Sequence, residues 1–419
     1  MDHFTYRDGV LHAEDVPLPL IADEVGTPFY VYAAATLRRH YRVFAEGFAG
    51  SGALVAFAVK ALSNIAVLSL LGKEGAGADI VSGGELFRAL KAGIPADRIV
   101  FSGVGKTRAE MKAALEAGIL QFNVESEAEL RQLAGVAEEM DVAAPLALRV
   151  NPDVDAGTDT RISTGRKNDK FGIPWDEAVR LYTEAAAHPS LAPRGIAMHI
   201  GSQITSLMPF EKAAGRGRDL VTALRGKGCE VASLDLGGGL GIPYRQDGEV
   251  PPLPSDYAAI IRRLTDDLGV QVIMEPGRLI AGNAGLFVTE VLLQKDQDGT
   301  QYVIVDGGMN DLMRPALYGS HHDVQEVAQS DAEPKSCHIA GPVCESTDVF
   351  LRDAALRDPK EGALLAFRGA GAYGATQSSQ YNTRPLAPEV LVDGERFAII
   401  RKRPSYEDML SGEAVPSWL

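Results

Sequence analysis

A lysine closing an apolar run is the first residue in the chain with the means for covalent chemistry. Lys60 ends ALVAFAVK, and a Ser-Asn pair then opens a new apolar-periodic segment with Ser63 as its expected N-cap. The run is β-branched and aromatic enough for a strand buried on both faces. A lysine at the carboxyl end of such a strand stands where parallel α/β folds place their chemistry. Read alone, it is equally a lysine whose stem lies on apolar surface while its amine reaches water.

Other strand ends reverse that reading. The run LDLGGGLG sets Gly237, Gly238 and Gly239 where backbone N–H groups can approach an anion. The segment MEPGR ends another strand with Glu275, Pro276, Gly277 and Arg278, and HIGSQI ends a third with His199 and Ser202. A phosphate site beside a lysine suggests pyridoxal 5′-phosphate, which forms a Schiff base with an amine. Glu275 is then placed for the pyridine nitrogen, where a carboxylate keeps the ring protonated; otherwise it is an ion-pair partner of Arg278. His199 suits stacking on the ring, or is a core histidine. Asp79 suits orienting Lys60 or His199, or is a turn residue. Cys344, in GPVCES, suits a proton donor or a small buried hydrophobe. Arg314 and Tyr318, four apart in MRPALY, share a face if helical and suit a carboxylate ligand.

These residues need a frame that brings distant strand ends together. Regular strand–helix alternation runs from residue 37 to about 280, with expected strands at 53–59, 78–81, 98–102, 120–124, 146–150, 195–200, 232–236 and 271–275. Eight parallel strands with crossover helices fit a (β/α)8 barrel of the TIM type, with an open doubly wound sheet as the alternative. Three intervening helices open with a capping-box pattern, Ser82/Glu85, Thr107/Glu110 and Ser126/Glu129. The polar stretch 153–172 is too long for a simple loop and is expected to form a lid over the barrel mouth. Residues 1–36 look β-rich, with an Asp8-Gly9 hairpin turn, a strand at Pro28–Tyr32 and Thr36 capping the next helix. After residue 283 a β period returns. The expected domains are therefore a barrel over 37–282 and a mainly β domain built from 1–36 and 283–419.

With a net charge of −15, the chain is a poor ligand for nucleic acid or anionic membrane. No apolar run approaches membrane-spanning length, and no signal peptide is visible. Its three cysteines are too far apart for a disulfide framework or a metal site, which points to a reducing cytoplasm.

Taken in order, FAVKALSN, ADIVSGGEL, FNVESEAEL, LRVNPDVDAGT, HIGSQI, LDLGGGLG, MEPGR, GGMNDLMRPALY, GPVCES and GAYGATQSSQYN resemble the PLP-dependent decarboxylases of the alanine-racemase-like fold. The likeness covers nearly the whole chain and is greatest to the branch that decarboxylates diaminopimelate. It implies a PLP-carrying (β/α)8 barrel, a C-terminal β domain, and a homodimer with active sites at the interface. It also implies that Lys60 carries the cofactor, that His199 stacks on its ring and that Glu275 meets its nitrogen. Ser202, Gly237, Gly238, Gly239, the 275–278 backbone and Tyr373 would hold the phosphate. Arg278, Arg314 and Tyr318 would grip the distal carboxylate of meso-diaminopimelate. Cys344 and Glu345 would enter from the other copy, as proton donor and as partner of the distal ammonium. The implied reaction yields L-lysine and CO2; ornithine, arginine, carboxynorspermidine or a D-amino acid are the alternative substrates, and a non-catalytic regulatory homologue the remote one. Leu62 stands where such chains usually carry Asn, with Asn64 as a nearby substitute, and Thr158–Arg161 also departs from the usual forms.

Overall fold

The computed structural model describes residues 2–157, 165, 170–245, 248 and 250–419. Residues 158–161 lie outside them, as does most of the expected lid. The chain divides into two compact units, one of Arg38–Pro243 and Glu249–Ile280, the other of Met1–Leu37, Tyr244–Gly248 and Ala281–Leu419.

The first unit is a closed barrel of eight parallel strands. They are Leu54–Ala58, Gly77–Ile80, Ile99–Phe101, Gln121–Val124, Ala144–Arg149, Leu191–Ala197, Ser233–Asp235 and Gln271–Met274. Each pairs with the next in sequence, and the last closes on the first through Ile273–Leu54 and Met274–Val55. Several strands are buried along their whole length, which is why they read as continuous rather than alternating apolar runs. The barrel interior is not uniformly apolar. Ser102, Gln121, Asn123, Ser233, Asp235 and Asp79 are all buried.

The second unit holds a hairpin sheet of Phe4–Arg7, Val10–Ala13 and Val16–Pro17, and a larger mixed sheet. The larger sheet runs in space Val349–Leu356, Lys335–Ala340, Thr300–Val305, Gly285–Gln297, Phe29–Ala33, Glu389–Asp393, Arg396–Arg401. Leu364–Phe367 pairs with Gly285–Gln297 and with Val324–Glu326. Phe29, Val31, Leu286, Val288, Ala366, Val390 and Val392 form its core.

Local expectations needed correction at several helix starts. Leu18–Val25 is a helix inside the segment expected to be β-rich, entered through Pro17 and carrying a proline in its first turn. The next helix starts at Ala34, not after Thr36, because a distant carboxylate caps it: Glu14 Oε1 accepts from Ala35 N at 2.8 Å. The Thr36 hydroxyl instead accepts from His3 N at 3.1 Å. Asn64, not Ser63, is the N-cap of Ile65–Lys73, its Oδ1 accepting from Ala66 N at 3.0 Å. Leu62 is buried as an apolar residue.

Only Thr107/Glu110 forms the reciprocal capping box among the three barrel helices that carry the pattern. At Ser82 and Ser126 the hydroxyl caps as expected, but the glutamates turn elsewhere. Glu85 accepts from Val81 N at 2.8 Å. Glu129 accepts from Lys106 Nζ at 2.6 Å and from Glu125 N at 2.9 Å. The buried Lys106 ammonium outbids a local backbone amide, since an unpaired buried charge costs far more than a lost cap.

The sixth strand has an irregular register at Pro193/Gly195, and a Cβ on Gly195 would lie 2.0 Å from Ser233 O of the next strand. Replacing Gly195 with Ala should therefore destabilise the barrel by about 1–3 kcal/mol. A thermal melt followed by circular dichroism checks this, and an unchanged midpoint would contradict the packing described.

Candidate active site

Lys60 sits in a single helical turn, Val59–Ala61, that follows the first barrel strand. Its ammonium donates to Asp79 Oδ2 at 2.7 Å, with the carboxylate fully buried and the lysine side chain 37% exposed. Asp79 is the penultimate residue of the second strand, directly in register with Ala58. The pair thus places one reachable amine at the strand ends, held by an acid that cannot turn away. Asp79 Oδ1 is buried with no hydrogen-bond partner among the described residues.

Two further carboxyl groups lie inside the same barrel. Asp235 ends the seventh strand, and Glu275 follows the eighth. They are hydrogen-bonded to each other, an arrangement that needs a proton between them. Burial first, and then the charges of Asp235 and Asp79, hold the Glu275 carboxyl well above the ordinary carboxylate range. Burial pushes Asp235 up to about 6, against the pull of Gly237 N and Asn123. Of the two, Glu275 is the carboxyl held higher and so the one that binds the shared proton more tightly.

Asn123 organises this interior. Its Nδ2 donates to Asp235 Oδ2 at 2.9 Å, Ser102 Oγ at 3.1 Å and Glu275 Oε1 at 3.3 Å. Gln121 Nε2 donates to Asn123 Oδ1 at 2.9 Å, and Ser233 Oγ donates to Gln121 Oε1 at 3.1 Å. Of these residues the sequence singles out Glu275 alone; Ser102, Gln121, Asn123, Ser233 and Asp235 carry no such signal. Inside a short strand they look like the ordinary polar members of an alternating pattern, and only barrel closure turns them inward.

His199 is neutral. Burial, with the charges of Arg149 and Lys60, lowers its pKa well below the usual histidine value. Gly238 N donates to His199 Nδ1 at 3.2 Å, which puts the imidazole proton on Nε2. Arg149, also unread in the sequence, is fixed by Glu125 Oε1 at 2.8 Å and lies over the Phe171 ring at 5.1 Å.

The glycine turn is required by packing as well as by backbone conformation. A Cβ on Gly238 would lie 2.2 Å from Glu275 O, and one on Gly239 (φ 115°) 2.5 Å from Gly201 O. Gly237 (φ 66°) donates its N–H to Asp235 Oδ1 at 2.9 Å, so two of the three glycine amides are engaged inside the barrel. Pro276 O accepts from Ala58 N at 3.2 Å, and a Cβ on Gly277 would lie 2.9 Å from that of Ala61. Strand eight is thereby locked against the turn that carries Lys60. Arg278 donates to Ser202 Oγ through Nε at 3.2 Å and Nη2 at 3.0 Å.

The remaining expected residues belong to the second unit. Arg314 and Tyr318 open and close the helix Arg314–Tyr318. Arg314 is buried, bonded to His322 Nε2 at 2.9 Å and stacked on Tyr244 at 4.6 Å, so it is no surface residue. Gln377 Nε2 donates to the Tyr318 hydroxyl at 3.4 Å. Tyr373 takes left-handed backbone (φ 57°) between Gly371 and Gly374, each packed too closely for a side chain. Cys344 and Glu345 are exposed in the loop after Lys335–Ala340.

The pattern "Pyridoxal-dependent decarboxylase, pyridoxal binding domain" matches residues 34–282. The diaminopimelate decarboxylase of Pseudomonas aeruginosa is 50% identical over 415 residues, 99% of both chains. That of Zymomonas mobilis is 47% identical over 419 residues, again 99% of both. This chain belongs to the diaminopimelate decarboxylase family. Among solved structures, the M. jannaschii diaminopimelate decarboxylase in co-complex with L-lysine superposes with a TM-score of 0.95 at 35% identity, covering 100% of this chain and 99% of that one.

The cofactor of the family is pyridoxal 5′-phosphate, and the barrel residues fit it. One reachable amine stands on a buried acid, and three carboxyl groups share an interior whose excess negative character a protonated ring nitrogen would offset. A neutral imidazole offers an uncharged face.

The raised Glu275 carboxyl gives a test independent of turnover. A folded-state acid pKa above the unfolded value of about 4.3 costs stability once pH passes that value, and the cost grows with pH at about 1.4 kcal/mol per unit. Glu275→Gln removes it. In cofactor-free protein the variant should melt at or above the parent at pH 8, with the gap closing towards pH 5. A variant that melts lower by a constant margin would contradict the protonated state.

Proposed function

We propose that the chain decarboxylates meso-2,6-diaminopimelate to L-lysine and CO2. The observation that carries the reading is full-length identity of 47–50% to proteins named diaminopimelate decarboxylase. Two structures of such enzymes, from Helicobacter pylori and M. jannaschii, are complexes with L-lysine, the expected product.

When bound, pyridoxal 5′-phosphate supplies an aldehyde for an amine and a sink for the electrons left as CO2 departs. The rest falls to this chain. Lys60 would supply the amine that holds the cofactor, with Asp79 fixing its Nζ. Glu275 would meet the ring nitrogen, and His199 would present its neutral face to the ring. Ser202, the turn Gly237–Gly239, residues 275–278 and Tyr373 serve the phosphate. Arg278, Arg314 and Tyr318 bind the distal carboxylate, because charge-assisted bonds to the far end decide which carboxylate leaves. Glu345 takes the distal ammonium, and Cys344 gives its thiol proton to the carbon that lost CO2. We assign Cys344 and Glu345 to the other copy of a homodimer with shared active sites. Among the described residues no helix is long and apolar enough to cross a membrane. Three free cysteines support a cytoplasmic setting.

Lys60→Ala should abolish the visible absorbance of the purified enzyme and its CO2 release from meso-diaminopimelate; an unchanged spectrum would reject the assignment. Cys344→Ala should keep the absorbance and lose about 10²–10⁴-fold in kcat. Near-parental turnover in that variant would remove Cys344 from the reaction.

A further inference from the structure

The loop bearing Cys344 and Glu345 is held from two sides. Asp348, buried, accepts from Met309 N at 2.7 Å and from Val343 N at 2.6 Å, and its carbonyl accepts from Gly341 N at 3.0 Å. That side fixes the loop's backbone. The other side reaches the two functional side chains themselves. Tyr381 donates its hydroxyl proton to Glu345 Oε1 at 2.5 Å, and Asn382 Nδ2 donates to Cys344 Sγ at 3.5 Å.

The backbone that aims these two donors is unusual. Asn382 and Thr383 both lie in the left-handed region, at φ 56° and 55°. Asn tolerates that region, but a β-branched threonine does so only under constraint. The turn is constrained on both flanks: Ser379 N donates to Asn310 O at 2.8 Å, and Arg384 Nη2 donates to Asp306 O. Asn382, one of the two strained residues, and its neighbour Tyr381 set their side chains on adjacent residues of one loop, and since both are exposed, packing does not explain the arrangement.

We propose that Tyr381 and Asn382 are positioning residues for the proton-donating step, Asn382 by hydrogen-bonding the Cys344 sulfur and Tyr381 by fixing the Glu345 carboxylate. The inference rests on the role given to Cys344 above. In that step the S–H bond breaks and a C–H bond forms at the carbon that lost CO2. The S–H electron pair stays on sulfur, and solvent later returns the proton. An amide N–H directed at sulfur stabilises the charge that forms there as the proton leaves. The hydroxyl of Tyr381 leaves Glu345 Oε2 to accept from Thr347 Oγ1, at 3.2 Å, or from a ligand's ammonium.

The test uses Asn382→Gly in the purified holoenzyme, because glycine keeps the left-handed backbone while removing the amide. The pH profile of iodoacetamide alkylation at Cys344, located by peptide mapping, reads the thiol directly; Cys229 and Cys337 are buried. The alkylation midpoint should rise by about one unit and kcat should fall about tenfold with KM held. Tyr381→Phe should act on KM for meso-diaminopimelate more than on kcat. An Asn382→Gly enzyme with parental midpoint and kcat, alongside a slow Cys344→Ala enzyme, would overturn the inference alone. Parental turnover in Cys344→Ala would overturn the proton-donor role and the inference with it.

Discussion

The bond from Lys60 Nζ to the buried Asp79 carboxylate is the interaction around which the barrel site is arranged. An ammonium at a barrel mouth has several rotamers and water to choose from, and an exposed partner would hold it weakly. Asp79 is fully buried at a strand end and is itself fixed by the parallel ladder, so the amine has one favoured place. Asp235 and Glu275 lie in the same interior, where burial raises the proton affinity of both and the Asp235 charge raises that of Glu275 further. The barrel thus concentrates carboxyl groups around the Lys60 ammonium, an environment that suits a cofactor with a basic ring nitrogen.

Much of that set was legible because it lies at strand ends. Lys60, Asp79, His199 and Glu275 follow apolar runs, and a parallel barrel brings such positions to one rim whatever their separation in sequence. The interior partners were not legible. Asn123 and Ser102 sit within or directly after strands of four and three residues, and nothing local distinguishes an inward polar side chain from an outward one. Arg149 ends a strand, yet its neighbour Glu125 and its influence on His199 emerge only from the closed barrel.

The failures at helix starts share one cause. Glu14 caps a helix twenty-one residues downstream in sequence, and Lys106 draws Glu129 away from its capping role. Both are tertiary choices overriding a local pattern. The glycines carry a related lesson: their run reads as an anion-binding turn, while what the structure gives Gly238 and Gly239 is a packing reason, since neighbouring carbonyls leave no space for a side chain. In the β unit, GPVCES was readable as a motif. The turn Tyr381–Thr383 that touches it was not, because left-handed threonine has no sequence signature.

We propose the Lys60 amine as the one that takes the cofactor's aldehyde. Reducing the pyridoxal phosphate-loaded enzyme with borohydride and mapping the modified peptide by mass spectrometry tests it directly. One phosphopyridoxyl group per chain, on Lys60, is expected. Modification of another lysine, or none after reduction of an enzyme with full visible absorbance, would contradict it.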